Sequence, residues 1–234
     1  MPSQAYQHEI VPEGAKSEQS NPIPTAVHQE TKDTKLSKAQ AKQLFDEGYH
    51  LAFSKKGKVK PWDKIIDLWR MAANAGHTRA QFYLGTCYDN GLGTDKDLQL
   101  AFDWYLKAAE AGHRDAQFNI GFFYGHGELG PIDHRAKVYW YEKAANAGLA
   151  EAQRDLGYAY FYGEGVALDE EMAVYWYKKA AKQNDPKALY NLGLCFEFGD
   201  GVALSRRWAR YYFSKAAELG HRKAKGQLKR LDFE

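Results

Sequence analysis

A period of 36 residues runs through most of this 234-residue chain and limits what it can fold into. A motif of Ala, three variable residues, Leu or Ile, and then Gly recurs in one register, and its copies begin at Ala80, Ala116, Ala152 and Ala188. A second motif, Lys-Ala-Ala, keeps the same register and begins at Lys107, Lys143, Lys179 and Lys215. Repeats of this length fold as one supersecondary unit each, and neighbouring units stack to bury a shared core.

Each repeat is predicted to form two helices. In the unit that begins at Ala80, helix A continues to Asn90 and ends at Gly91-Leu92-Gly93. Helix B follows from Asp97 to Ala111, where small and aromatic residues recur at helical spacing. The units close on residues that tolerate a left-handed backbone, which are Gly76, Gly112, Gly148, Asn184 and Gly220. The sequence therefore predicts an all-α fold, an α-solenoid of helix-turn-helix repeats.

Glycine also recurs inside helix A, although a glycine in a helix interior costs about 1 kcal/mol relative to alanine. The four copies are Gly85, Gly121, Gly157 and Gly193. We expect close approach of helix B to compensate for this cost. The bulky residues expected to face the glycines are Trp104, Trp140, Trp176 and Tyr212.

These residues resemble the Sel-one-like repeat (SLR) family, which is related to tetratricopeptide repeats. The resemblance rests on the run Ala152 to Tyr160, on Gly163-Glu164-Gly165-Val166, and on Ala173, Trp176 and Lys179-Ala180-Ala181. Four repeats are predicted over 78–113, 114–149, 150–185 and 186–221, after a degenerate first repeat at 37–77. Residues 222–234 are predicted to form a capping helix, and the proline-containing polar segment 1–36 a disordered tail. The resemblance implies an adaptor or scaffold that binds other proteins.

Composition excludes several classes of partner. The 32 Lys and Arg residues nearly balance 30 Asp and Glu residues, so no general attraction to nucleic acid or to a membrane surface is expected. No apolar run approaches the roughly 18 residues of a membrane helix, and the first thirty residues lack the apolar core of a secretion signal. We therefore expect a cytoplasmic protein. Cys87 and Cys195 occupy the same position in distant repeats and are predicted to be buried and unbridged. The oligomeric state stays open.

No motif for catalysis stands out from the repeat. His77, His113 and His221 each follow the closing glycine of a unit and are predicted to be turn residues. The irregular loop from His126 to His134 also contains Glu128 and Asp133, so an enzyme or a small-molecule or metal binder with a site there is the alternative function. Its spacing matches no metal signature, and we predict no cofactor, no metal and no catalytic residue. Nucleic-acid binding through the basic cluster Arg222 to Arg230 is a weaker alternative, because no aromatic residues interleave with its charges.

Helix A carries a second stripe of residues on nearly the opposite face from its core stripe. An aromatic second face indicates either a solenoid that packs its own interior or a groove for a partner. By similarity to tetratricopeptide repeats, the stripe would line a concave surface and bind another protein or peptide. An adaptor and an inhibitor or immunity-type protein are equally compatible with it. The predicted partner-binding residues are Phe82, Phe118, Phe122, Tyr158, Phe161, Tyr162, Tyr190 and Phe198.

Overall fold

A computed structural model describes residues 36–54 and 59–233. These residues form eleven α-helices and their connections, and none of them lies in a β-strand. The predicted tail, apart from Leu36, and residues 55–58 of the lysine-rich loop lie outside the described residues. The helices are α1 (Lys38–Phe53), α2 (Trp62–Asn74), α3 (Thr78–Asn90), α4 (Leu98–Glu110), α5 (Arg114–His126), α6 (His134–Asn146), α7 (Ala150–Tyr162), α8 (Glu170–Lys182), α9 (Pro186–Phe198), α10 (Arg206–Glu218) and α11 (Arg222–Phe233).

The chain divides within α4 into two compact units, an N-terminal unit that ends at Trp104 and a C-terminal unit that begins at Tyr105. In the N-terminal unit, α2 packs against both α1 and α3. In the C-terminal unit, each helix from α5 to α10 packs against the next one along the chain. Packing between successive helix pairs is the defining property of an α-solenoid. The predicted all-α solenoid is therefore confirmed.

Histidine side chains cap three of the A helices. The Nδ1 atom of His77 accepts a hydrogen bond from the backbone N–H of Ala80 at 3.2 Å, and His113 and His221 repeat this contact at the starts of α5 and α11. Asp185 takes the same role at the start of α9. Burial lowers the pKa of His77 and of His221, which favours the neutral ring that can accept this bond.

The closing turns have the predicted left-handed residues. Gly148 has φ of 88°, and Asn184, at the equivalent position one repeat later, has φ of 62°. The turn after Gly148 is fixed by a backbone hydrogen bond of 3.1 Å from Leu149 N–H to the carbonyl oxygen of Ala144. Such bonds satisfy the last carbonyl groups of helix B while the chain reverses direction.

The glycines inside the A helices do contact helix B, but through a different residue from the predicted one. A Cβ atom at Gly157 would lie 2.7 Å from a ring carbon of Tyr177, and one at Gly193 would lie 2.4 Å from Phe213. The prediction that Trp140, Trp176 and Tyr212 face these glycines is therefore wrong by one residue in three repeats. One residue turns a helix by about 100°, so the neighbouring aromatic points elsewhere.

Buried glutamines join successive helix pairs. Gln81, Gln117 and Gln153 each donate from Nε2 to a carbonyl oxygen near the end of the preceding B helix, at 3.3, 3.1 and 3.0 Å. Each of these glutamines is buried. A buried amide with a backbone partner holds one helix pair in a fixed position on the next, because an unpaired polar group there costs free energy.

Both cysteines are free and buried, as predicted. Burial raises the pKa of the Cys87 thiol to about 12, and burial is also the largest cause of the raised pKa, about 12, of Cys195. Across the described residues, no helix combines the length and the apolar character needed to cross a membrane.

Candidate functional site

The first position of the predicted stripe lies in the core. Phe82 and Phe118 are only 5% and 2% exposed. The Phe118 ring stacks on Tyr141 of α6, with centroids 4.9 Å apart and planes at 15°. Tyr190, two repeats after Phe118, is half-buried and stacks on His221 at 4.4 Å. The structure therefore places Phe82 and Phe118 out of reach of a partner, since this position faces the neighbouring helices.

Arg154 occupies in α7 the position that Phe118 has in α5, and ion pairs with two carboxylates hold its side chain in place. Its Nε atom lies 2.6 Å from Asp155 Oδ1, and its Nη1 atom lies 3.2 Å from Asp185 Oδ2. Burial opposes the charge of Arg154, but Asp155 and Asp185 outweigh it and raise the pKa of the guanidinium above its ordinary value. Because Asp185 also caps α9, Arg154 links α7 to the start of the next A helix.

Further along each A helix, the stripe reaches solvent. Tyr158, Tyr162 and Phe198 are 44%, 57% and 62% exposed. Phe122 is half-buried, and Phe161 is half-buried against the core around Ala173. The accessible residues form pairs four apart on α5, α7 and α9, and we call them the A-helix row: Phe122 and His126, Tyr158 and Tyr162, Leu194 and Phe198.

Two of the pairs in the A-helix row are held by ring contacts. The Phe122 and His126 rings stack with centroids 3.7 Å apart and planes at 19°. The Tyr158 and Tyr162 rings lie 4.4 Å apart at 44°. Such i, i+4 contacts already restrict the rotamers of these side chains. The side chains would therefore lose little further conformational entropy if a partner bound them.

An ion pair that the sequence interpretation missed lies beside this row. Lys137 Nζ is 2.7 Å from Glu164 Oε2, and the lysine side chain is only 12% exposed. Gly125 makes room for it, because a Cβ atom there would lie 2.6 Å from Lys137 Cδ. The hydrogen bond from Lys137 lowers the pKa of the Glu164 carboxyl. Burial, and then the Glu164 charge, raise the pKa of Tyr158, so a fixed carboxylate lies close to this phenol.

The signal for this pair was available in the sequence. Lys137 replaces the alanine that other B helices have at this position, and Gly125 replaces a larger residue on α5 in the same repeat. One of these changes enlarges a side chain and the other removes one, so together they indicate that the two positions are in direct contact. The sequence could not supply the third member, Glu164, because it belongs to the following repeat.

The irregular loop has structural roles for its polar residues. His126 Nδ1 lies 3.0 Å from the carbonyl oxygen of Phe122, and Asp133 caps α6 by accepting from Ala136 N–H at 2.9 Å. His134 is exposed at the start of α6. Among residues 36–54 and 59–233, no three His, Cys, Asp or Glu side chains come together as a metal site would require.

The repeat profile decides the family. Sel1 repeats match residues 78–113, 114–149, 150–185 and 186–221, which together make up more than half of the chain. The chain belongs to the Sel1 repeat family. The resemblance predicted from the repeat motifs is thereby confirmed, and Sel1 repeat proteins generally mediate protein–protein interactions.

Several solved Sel1 repeat structures are similar to this chain. A Sel1 repeat protein from Oxalobacter formigenes is 30% identical with a TM-score of 0.72, over 79% of this chain and 75% of that one. The protein c5321, a protective antigen present in uropathogenic Escherichia coli strains, is 33% identical with a TM-score of 0.74 over 82% of this chain. This chain covers only 41% of that antigen.

A more distant similarity is to the immunity protein PA5088 from Pseudomonas aeruginosa. It is 28% identical with a TM-score of 0.50, over 79% of this chain and 67% of that one. No curated protein matches the chain.

Proposed function

We propose that the chain is a non-catalytic binding protein that holds a partner protein or peptide on the A-helix row. The observation that carries the proposal is the exposure of three large rings, Tyr158 and Tyr162 on α7 and Phe198 on α9, of which Tyr162 and Phe198 occupy equivalent positions in successive repeats. Water-exposed aromatic side chains on a rigid scaffold are typical of interface centres. A concave shape for this surface, as in tetratricopeptide repeats, belongs to the proposal.

The arrangement of the row favours an elongated partner. Its pairs lie on three A helices of the C-terminal unit, so one ligand segment could contact several repeats in turn. An extended peptide or one face of an amphipathic helix has the matching shape. Phe161 and Tyr190, both half-buried, would contribute at the edges of the contact.

Two kinds of partner fit this proposal. One is a component that the protein scaffolds, which is the general role of Sel1 repeat proteins. The other is a toxin that the protein neutralises, and the similarity to a protein named as an immunity protein supports testing it. The cytoplasmic location predicted from the sequence is part of the same proposal, and cell fractionation would test it.

The test compares two faces of the same unit. The chain would be used to capture partners from cells that carry its gene, and each captured protein would be purified and titrated calorimetrically. Changing Tyr158 and Tyr162 together to Ala should weaken binding at least about 30-fold, because interface hot spots contribute about 2 kcal/mol or more. Since both rings are about half exposed, the melting temperature should change little.

A matched control removes two tyrosines of similar exposure from the B helices. Tyr139 and Tyr175 are 53% and 46% exposed, and changing both to Ala should leave unchanged the affinity of a partner held on the A-helix row, which is one that binds more weakly to the Tyr158→Ala/Tyr162→Ala variant. Equal weakening by the two double variants would contradict the proposal. So would unfolding of the Tyr158→Ala/Tyr162→Ala variant, because it would make these residues part of the core.

A further inference from the structure

A second row of tyrosines lies on the B helices. Tyr139, Tyr175 and Tyr211 are spaced by 36 residues and are 53%, 46% and 47% exposed. Each stands two residues before the ring that packs on an A-helix glycine, as Tyr175 precedes Tyr177. Two residues turn a helix by about 200°, so each tyrosine points away from the A helix of its own repeat. We call Tyr139, Tyr175 and Tyr211 the B-helix row.

Positive charge is concentrated on helices α6, α8, α10 and α11 of the C-terminal unit. Helices α6, α8 and α10 together carry ten Lys and Arg against four Asp and Glu, a net charge of +6. Helices α5, α7 and α9 carry three Lys and Arg against four Asp and Glu, and the loops that follow them (127–133, 163–169 and 199–205) add five carboxylates and no Lys or Arg, a net charge of −6. Helix α11 carries five Lys and Arg against one Asp. The near-neutral composition of the whole chain hides this unequal distribution. Nine of the ten cations on α6, α8 and α10 remain once Lys137, which is paired with Glu164, is set aside, and such an excess of positive charge attracts an anionic partner.

Lysines cover the outward rings of the row. Lys143 Nζ lies 4.9 Å from the ring centroid of Tyr139, and Lys179 Nζ lies 4.6 Å from that of Tyr175. Lys215, at the equivalent position in α10, instead lies 3.4 Å from Glu218. A nucleobase needs an open ring face to stack on, and in α6 and α8 an ammonium group already lies over one face of the ring.

The groups that remain available are phenol hydroxyls beside ammonium groups. Both donate hydrogen bonds, and a carboxylate accepts from both. Exposed Glu142 precedes Lys143 in α6, and exposed Glu171 lies about one turn before Tyr175 in α8. Their carboxylates would repel the continuous phosphates of a nucleic acid more than a peptide whose carboxylates are spaced.

We propose that the B-helix row and its lysines form a second docking surface, which binds an acidic segment of a partner protein. The inference goes beyond the function proposed for the A-helix row, since it uses different helices and the opposite charge. As a consequence, one C-terminal unit would hold two partners at once. One partner would bind the exposed rings of the A-helix row, and the other would place an acidic segment on the B-helix row.

The test uses a fluorescein-labelled peptide of alternating glutamate and serine. Its binding to the full chain is measured from the rise in fluorescence anisotropy. About 12 residues suffice to cross three helices, since an extended chain spans about 3.3 Å per residue. The chain should bind this peptide at about 50 mM salt and lose most of the binding at about 200 mM salt. A thymidine oligonucleotide of equal charge should bind more weakly.

Three variants locate the binding. Lys143→Gln/Lys179→Gln should weaken peptide binding about fivefold or more, as expected for two partly desolvated charge contacts. The control Lys42→Gln/Lys64→Gln removes the same charge from exposed sites in the N-terminal unit and should change affinity less than about twofold. Tyr139→Phe/Tyr175→Phe keeps the rings and should weaken binding about two- to threefold through loss of the hydroxyls.

Any of four results would overturn the inference. These are no peptide binding at low salt, equal weakening by both lysine variants, tighter binding of the oligonucleotide, and unchanged affinity in the phenylalanine variant. Because the Tyr158→Ala/Tyr162→Ala variant retains the B-helix row, it should bind the acidic peptide normally. Failure of one surface is therefore distinguishable from failure of the other.

Discussion

Replacing Gly121 by alanine tests whether helix packing, rather than helix propensity, explains the glycines inside the A helices. In an isolated helix the change should stabilise by about 1 kcal/mol. In the folded protein, the new Cβ atom would lie 2.5 and 2.6 Å from ring carbons of Tyr141 and 3.1 Å from the carbonyl oxygen of Lys137. Carbon atoms in contact are separated by about 3.5–4.0 Å, so something must move.

The surroundings leave little room for that movement. Tyr141 is 4% exposed and stacks on Phe118, which is 2% exposed, so displacing one ring displaces the other. The carbonyl oxygen of Lys137 belongs to the backbone of α6 and moves only with the helix. Overpacking of this kind costs about 1–3 kcal/mol, which outweighs the gain in propensity. We expect Gly121→Ala to destabilise the protein by about 1–2 kcal/mol and to lower its melting temperature by roughly 3–8 °C.

The assay is thermal and urea unfolding followed by circular dichroism, with Gly226→Ala as the matched control. Gly226 lies in α11, and a Cβ atom there would meet nothing within 4 Å. This control should gain up to about 1 kcal/mol. A Gly121→Ala protein as stable as the wild type would refute the reasoning. The double variant Gly121→Ala/Tyr141→Leu should also lose less stability than the sum of its single variants, because the two sites share one contact.

Two further predictions concern single side chains. His221→Ala should cost about 1 kcal/mol through loss of the α11 cap, whereas His221→Asp should restore it, as Asp185 does for α9. Because burial lowers the pKa of folded His221 below 6.5, the unfolded chain takes up the proton first. The stabilising effect of His221 is therefore complete above pH 6.5 and is lost as the pH falls. Urea unfolding midpoints of the wild type and of His221→Asp, compared across pH 5–7, would reveal this loss. The buried thiol of Cys195, whose pKa is raised to about 12, should react with maleimide at neutral pH only as fast as the protein opens. Labelling of the native protein at the rate of a free cysteine would contradict this.

The all-α fold could be predicted because the same helix-forming and turn residues recur at the same positions in several repeats. Asn184 illustrates this, since its position in the period predicted the left-handed conformation that it adopts at φ of 62°. The histidines after the closing glycines were predicted as turn residues, and their periodicity excluded a shared site. Their capping role requires the position of a backbone N–H group, which only the structure supplies.

The candidate site was less predictable. The stripe on the A helices was visible in the sequence, but the structure buries some of its residues and exposes others. Phe118 lies in the core, while Tyr158, at the position one turn later in the next repeat, reaches solvent. Periodicity places both on one side of a helix, and the difference depends on where the neighbouring helix crosses.

The sequence alone determined the period, the helix pairs, the left-handed turns and the family, because these depend on local backbone preferences repeated at a fixed interval. Only the tertiary structure decided which ring meets each glycine, since a change of one residue rotates a side chain by about 100°. It alone also brought Lys137 to Glu164, which lie 27 residues apart in the chain. A contact between repeats depends on how two helix pairs stack, and no local preference encodes that distance.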